Sequence, residues 1–166
     1  MGKPLLKETT LGPIANVRFA KEVREQVTEA LQEGATAHIP TFAEDDGGGY
    51  VTPQILTNVN HQMRVMRDET FGPVVGIMSV KDDDEAIHLM NDSDFGLTAS
   101  IWTQDTDAAE ALGARIQTGT VFMNRCDYLD PGLCWTGCKY TGRGASLSVL
   151  GYQALTRPKS YHLKQA

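Results

Sequence analysis

The sequence predicts an α/β domain with parallel strands, and two observations carry that expectation. Between Val74 and Asn124 short apolar runs alternate with segments of helical periodicity. The resulting order of strand, helix, strand, helix, strand is the pattern of a parallel sheet. The chain also has an ordinary globular make-up, 166 residues with 41% hydrophobic and 22% charged. That length suffices for a hydrophobic core.

The elements follow in order. Residues 1–10 are a polar lead without periodicity. From Asn16, the residues Ala20, Val23, Val27, Ala30 and Leu31 recur on one helical face, with Asn16 as N-cap and Gly34 as stop. Ala35 to Phe42 reads as a strand, and Ala43 to Gly49, with three acids and three glycines, as a mobile turn. Tyr50 to Pro53 and Ile55 to Val59 read as short strands, Pro53 marking an edge or a break. Val74 to Val80 is a buried strand. Asp82 to Glu85 then opens a helix with its acids where the helix dipole favours them, turning Ala86, Ile87 and Met90 inward. Thr98 to Thr103 is a strand, Asp105 to Gln117 a helix packed through Ala109, Leu112 and Ile116, and Thr120 to Asn124 a strand. Ligands of such sheets gather at the carboxyl ends of the strands. The Gly- and Cys-rich stretch 125–144 is too long for a simple connection and reads as functional. Tyr152 to Leu163 closes the chain as an extended tail.

Charge and cysteine usage narrow the function classes. Fifteen Lys and Arg against 21 Asp and Glu give a net charge of −6, which lacks the basic footprint that nucleic acid requires. No apolar run approaches the ~18 residues of a membrane span, and the start shows neither a secretory leader nor a myristoylation pattern. Cys126, Cys134 and Cys138 are odd in number and read as reduced structural thiols of a cytoplasmic protein. Their spacing does not match a zinc site and no His lies close in sequence, so no metal is expected. His38, His61, His88 and His162 are scattered, and Asp82 to Glu85 lacks the alternating oxygens and central glycine of a calcium loop. Neither Gly47-Gly48-Gly49 nor Gly142-Arg143-Gly144 forms a phosphate loop.

One segment carries a possible chemistry. Met66-Arg67-Asp68-Glu69-Thr70-Phe71-Gly72-Pro73-Val74 sets an acid two residues before an aromatic, then Gly-Pro, and feeds the Val74 strand. Gly72 permits unusual dihedrals and Pro73 fixes φ, so the turn is rigid. A carboxylate held there suits hydrogen bonding to vicinal hydroxyls, as on a ribose. On these residues alone the plainer reading, a turn with Glu69 facing solvent, is favoured.

The segment resembles the E-x-F-G-P motif of the aldehyde dehydrogenase superfamily, and other segments match that family in the same order. Leu11-Gly12-Pro13 is similar to its lead-in; Tyr50, Thr52-Pro53, Val59 and Met63 to Glu69 are similar to its stretch ahead of the motif. Asn91 to Leu97 resembles its N-x-x-x-Y-G-L element, Gly119 to Asn124 its G-T-V-x-x-N strand, and Trp135 to Gly142 its F-G-G-x-K-x-S-G loop. The similarity runs over residues 2–163.

The resemblance implies the latter part of a three-layer α/β catalytic domain, a mostly parallel sheet flanked by helices, over residues 1–150. It implies an extended C-terminal strand over 151–166, an oligomerisation tail that pairs a second copy through residues 152–163. Family members oxidise aldehydes to acids with NAD or NADP: a cysteine thiolate attacks the aldehyde, hydride leaves to the nicotinamide, and a glutamate activates water. By match to the motif, Glu69 holds the nicotinamide-side ribose and Phe71 packs beside the nicotinamide. Arg125, Cys126, Asp127, Tyr128 and Trp135 line the substrate pocket.

The departures are as informative. The family's nucleophile segment, F-x-x-x-G-Q-x-C, and its base segment, E-L-G-G-K, do not occur in this sequence. None of the three cysteines inherits the nucleophile's role, and the Rossmann half is absent. The chain alone is therefore expected to be inactive, with weak or no dinucleotide binding. Cys134-Trp135-Thr136 replaces the usual P-F-G, and Pro158 removes one donor from the tail strand. Two other readings compete: a free-standing non-catalytic interaction or regulatory module of the same fold, and a thiol redox or metal protein built on the three cysteines.

Overall fold

The computed structural model describes residues 1–126 and 128–165. The chain divides into two compact units, Met1–Val80 and Lys81–Ala166.

In the first unit, helix α1 (Val17–Gln32) starts where the Asn16 side chain accepts the Arg18 N–H at 2.8 Å. Glu33 caps its end and Gly34 follows, as the sequence predicts. Ala20, Val23, Gln26 and Ala30 are buried, whereas Leu31 is 42% exposed. At 3.6 residues per turn Leu31 falls at the edge of the stripe that Val23 and Ala30 define, and Gln26 takes an inward place. Strands β1 (Thr36–Ala37), β2 (Gln54–Thr57) and β3 (Val74–Gly76) form one sheet in that order. β1 pairs antiparallel with β2, while β2 and β3 run parallel from Gln54↔Val74 to Leu56↔Gly76. A short helix, α2 (Arg64–Arg67), lies in the crossover between them.

These strands are shorter than the sequence pattern suggests. Pro40 and Pro53 have no N–H for a ladder, which confines pairing near them to β1 and β2. Val75, in β3, and Ile77, just beyond it, are each half exposed, so Val74 to Val80 is not the fully buried strand expected. One core cluster gathers Ala30, Leu56, Val59, Met63 and Val65; a second joins Ala20, Val23 and Val51, with Ile14 and Val74 packed against it.

The acidic turn expected to be mobile is tied down. Asp45 accepts the Arg24 Nε–H through one oxygen and the Thr52 N–H through the other, each at 2.8 Å. Arg24 also donates through Nη2 to the carbonyls of Gly48 and Tyr50, both at 2.7 Å.

In the second unit, helix α3 (Asp83–Asn91) begins at Asp82, whose side chain accepts the Glu85 N–H at 2.8 Å. Helix α4 (Thr106–Gly113) begins at Asp105, which accepts the Ala108 N–H at 2.9 Å. Strands β5 (Thr98–Ile101) and β6 (Thr120–Met123) flank α4 in sequence and pair in parallel from Thr98↔Thr120 to Ile101↔Met123. This is the βαβ unit that the sequence predicts. Two short strands escaped the sequence reading, β4 (Phe95–Gly96) and β7 (Cys138–Lys139), which pair antiparallel. The core is Ile87, Ala99 and Ile116, with Ile101 and Leu112 against it, while Met90 turns outward.

The C-terminal segment differs from expectation. Helix α5 (Ser148–Ala154) crosses the expected boundary at residue 150, so Tyr152 is helical. Residues 155–165 take part in no ladder among the described residues. A strand without a neighbour has no partner for its backbone groups, and Pro158 offers one donor fewer.

The Asp45 site sets a pH dependence. Burial opposes ionisation of Asp45, but the hydrogen bonds from Thr52 and Arg24 outweigh it and hold the carboxyl below its ordinary value. Its stabilisation is therefore complete above the unfolded value of about 4 and is lost as pH falls through the lower folded value. Asp45→Asn is expected to cost about 1–3 kcal/mol at neutral pH. The difference from the unsubstituted protein should shrink below about pH 4 in urea melts; a pH-independent difference would remove Asp45 from the acid response.

Candidate functional site

The turn that follows α2 is shaped by one close approach. A Cβ on Gly72 would lie 2.6 Å from Val23 Cγ2, so any larger residue there must displace Val23 or the turn. Thr70 Oγ1 donates to Gln26 Oε1 at 2.8 Å, and Gln26 is only 2% exposed. The Gln54 N–H donates to the Pro73 carbonyl at 2.9 Å, handing the turn into β3. Held at both ends, the turn places Phe71 at φ 47, in the left-handed region. That conformation costs a phenylalanine about 1–3 kcal/mol, and such strain gathers at functional sites. Phe71 is nevertheless 82% exposed, so burial of its ring within this unit does not compensate.

Phe71, Thr70 and Glu69 form one wall of a cleft of about 780 Å³. The start of α1 forms the other, with Ile14, Ala15, Arg18, Phe19 and Glu22. The Arg18 guanidinium stands 5.0 Å from the centre of the Phe19 ring. The cleft thus offers two exposed aromatic rings, a carboxylate with free acceptor oxygens and a cation. That donor set suits a ligand with a flat ring and neighbouring hydroxyls. Glu22 belongs to a further cluster: Arg64 donates through Nη2 to Glu22, through Nη1 to both Glu29 oxygens at 3.0 Å, and through Nε to Asp68 at 3.0 Å. Those hydrogen bonds, Asp68 first, hold the guanidinium protonated well above its ordinary value.

The other expected site residues belong to the second unit. Asn124, at φ 55, follows β6; its side chain accepts the Thr103 N–H at 3.0 Å and donates to the Thr103 carbonyl at 2.7 Å. This joins the chain just beyond the carboxyl ends of the parallel pair and sets the start of the 125–144 loop. Arg125 places its guanidinium 3.7 Å from the centre of the Tyr128 ring, so these two come together. Cys126 is exposed, and Asp127 lies outside the described residues. Trp135 exchanges backbone hydrogen bonds with Ser146, at 2.8 and 2.9 Å.

The motif residues around this loop act on its backbone. A Cβ on Gly119 would sit 1.7 Å from the Thr136 carbonyl oxygen, so the loop lies directly on the chain entering β6. Lys139 Nζ donates to the carbonyls of Asn91 and Ser93 at 2.7 and 2.8 Å, satisfying the end of α3.

Phe19, Arg18 and Glu22 are cleft residues that sequence reading missed, because it used only the apolar stripe of α1. Phe19, four residues before Val23 and seven before Gln26 on the same helical face, is the available signal. Arg64 left no comparable signal, since its partners lie 42 and 35 positions away on α1 as well as four residues on.

The chain matches the model of the Aldehyde dehydrogenase family over residues 1–161. It is 36% identical over 159 residues to an aldehyde dehydrogenase of Paenarthrobacter nicotinovorans, covering 96% of this chain and 35% of that protein. It is 38% identical over 151 residues to the NAD(P)+ succinate semialdehyde dehydrogenase Sad of Escherichia coli strain K12, covering 91% and 33%. The crystal structure of a succinic semialdehyde dehydrogenase from Streptococcus pyogenes, in complex with NADP+, is similar with a TM-score of 0.85. The identity there is 35%, over 92% of this chain and 34% of that one. The chain spans about a third of the length of each of these proteins.

Gly72→Ala must push Val23 or the turn aside and is expected to cost about 1–3 kcal/mol in denaturant unfolding. An unchanged midpoint would mean that the turn does not depend on this approach.

Proposed function

Because the chain belongs to the aldehyde dehydrogenase family, we propose that it is the latter part of the catalytic domain of an enzyme oxidising an aldehyde to a carboxylic acid with NAD or NADP. The observation that carries this reading is the cleft beside α1, where Glu69 and the strained, exposed Phe71 share one wall. Its volume, its exposed rings and its carboxylate fit the nicotinamide-ribose half of a dinucleotide. Glu69 binds the ribose hydroxyls through its carboxylate, and Phe71 gives the nicotinamide ring an apolar face to lie against. Bound there, the nicotinamide supplies a hydride acceptor.

The second unit supplies the substrate side. Arg125, Cys126, Tyr128 and Trp135 are assigned to the aldehyde pocket, and Asp127 by its match to the family alone, with the loop held at its start by Asn124. The sequence carries neither the family's nucleophile segment nor its base segment. Residues 1–166 alone therefore turn over no aldehyde and bind the dinucleotide weakly or not at all. The complete enzyme requires both segments and a Rossmann half. The tail supports a homo-oligomer: Tyr152, Leu155, Tyr161 and Leu163 are all exposed, and residues 155–165 have backbone groups outside any ladder. A second copy that pairs along residues 155–163 and covers Tyr152 satisfies both, within the 152–163 tail. No helix among the described residues is long and apolar enough to cross a membrane, and with the cysteines read as reduced thiols a cytoplasmic setting fits.

Glu69→Gln in the complete enzyme is expected to raise the KM for the dinucleotide about ten- to a hundredfold, the loss of charged hydrogen bonds. Unchanged steady-state kinetics would remove Glu69 from the site. Light scattering is expected to give a dimer or larger assembly that weakens on deletion of residues 155–166. A concentrated sample that stays monomeric would overturn the tail's role.

A further inference from the structure

We infer that Arg64 is the positioning residue of this cleft: one guanidinium gathers Glu22, Glu29 and Asp68, fixing the turn that carries Glu69 and pairing the Glu22 carboxylate inside the cleft. The inference rests on the dinucleotide reading above and gives that site a component outside the family motif. Asp68 immediately precedes Glu69, so the 3.0 Å bond from Arg64 Nε holds the near end of the turn. The far end is already held by Gly72 and Pro73. Glu22 is shared, since it bonds Arg64 Nη2 and also lines the cleft with Glu69 and Phe71. Glu22 and Glu29 stand seven residues apart, on one face of α1, which lets a planar five-donor fork reach both while its Nε faces Asp68.

An isolated surface ion pair contributes little, and each of these carboxylates is partly exposed. The difference lies in the sharing. Without Arg64, three carboxylates lose their common partner beside Glu69, and a ligand bearing phosphates meets a free acid at the cleft wall. The flanking residues Met63 and Val65 remain in the core with Ala30 and Leu56, so a polar substitution at Arg64 leaves α2 anchored. A lysine is no substitute, because a point ammonium cannot reproduce the fork.

The test compares Arg64→Gln, Arg64→Lys, Glu69→Gln and the double variant Glu22→Gln/Arg64→Gln in the complete enzyme, with thermal melts on each. The readouts are KM for NAD or NADP, kcat, and dinucleotide affinity at low and high salt. Arg64→Gln is expected to raise KM roughly tenfold with kcat within about twofold, and Arg64→Lys to recover only part of the loss. The double variant removes the exposed Glu22 charge but leaves Asp68 unheld, so it should recover part of the affinity, and the defect of Arg64→Gln should narrow at high salt as the exposed charge is screened. A merely structural role predicts neither recovery. An Arg64→Gln enzyme with unchanged KM, or a double variant as weak as the single one, overturns the inference. Should Arg64→Gln fail to fold, Arg64→Lys decides: full affinity there also overturns it. If Glu69→Gln weakens binding and Arg64→Gln does not, the clamp stands and this inference falls. If Glu69→Gln binds the dinucleotide unaltered, the clamp reading itself fails.

Discussion

The contact between Gly72 and Val23 is the constraint on which the first unit depends. It lets the chain leave α2, graze α1 and enter β3 in register with β2. The same approach forces Phe71 into a conformation that phenylalanine rarely adopts and leaves its ring facing out. A larger residue at position 72 would lift the turn from the helix and dissolve the cleft wall. The Thr70–Gln26 hydrogen bond reinforces the arrangement by using the one buried polar side chain on that stretch of α1. Packing, backbone strain and the aim of Glu69 are thus one feature seen at three levels.

A comparable economy governs the second unit. Gly119 allows the loop backbone to lie against the entry to β6, Lys139 reaches back to finish α3, and Asn124 locks the exit of β6 to the chain after β5. These residues are far apart in sequence, yet each acts on backbone atoms rather than on a ligand. Their work is to set the backbone of the loop, which leaves its side chains free to vary. That division explains how Cys134-Trp135-Thr136 can replace a family pattern while the glycines and the lysine around it keep theirs.

Much of this was legible in the sequence, and the failures have physical causes. Asn16, Asp82 and Asp105 announced three helix starts because capping is local chemistry. The β5–α4–β6 unit followed from alternating periodicity. Strand lengths were overestimated at Pro40 and Pro53, where apolar residues pack without pairing. The tail's sequence suggests a strand although α5 occupies its first part, because a short helix with an exposed apolar face has no clear period. The E-x-F-G-P motif singles out Glu69 and Phe71 on one wall of the cleft, but no motif marks the opposite wall. Phe19, Glu22 and the Arg64 cluster become neighbours of the turn only through the packing of α1, which no spacing rule reports.

We propose that the cleft between α1 and the Glu69–Phe71 turn receives the nicotinamide-ribose half of NAD or NADP. The most direct measurement is a crystal structure of the complete enzyme soaked with the dinucleotide. The expected result is ribose hydroxyls within hydrogen-bond distance of the Glu69 carboxylate and the nicotinamide ring against Phe71. A well-ordered dinucleotide bound elsewhere, with Glu69 facing solvent, would contradict it.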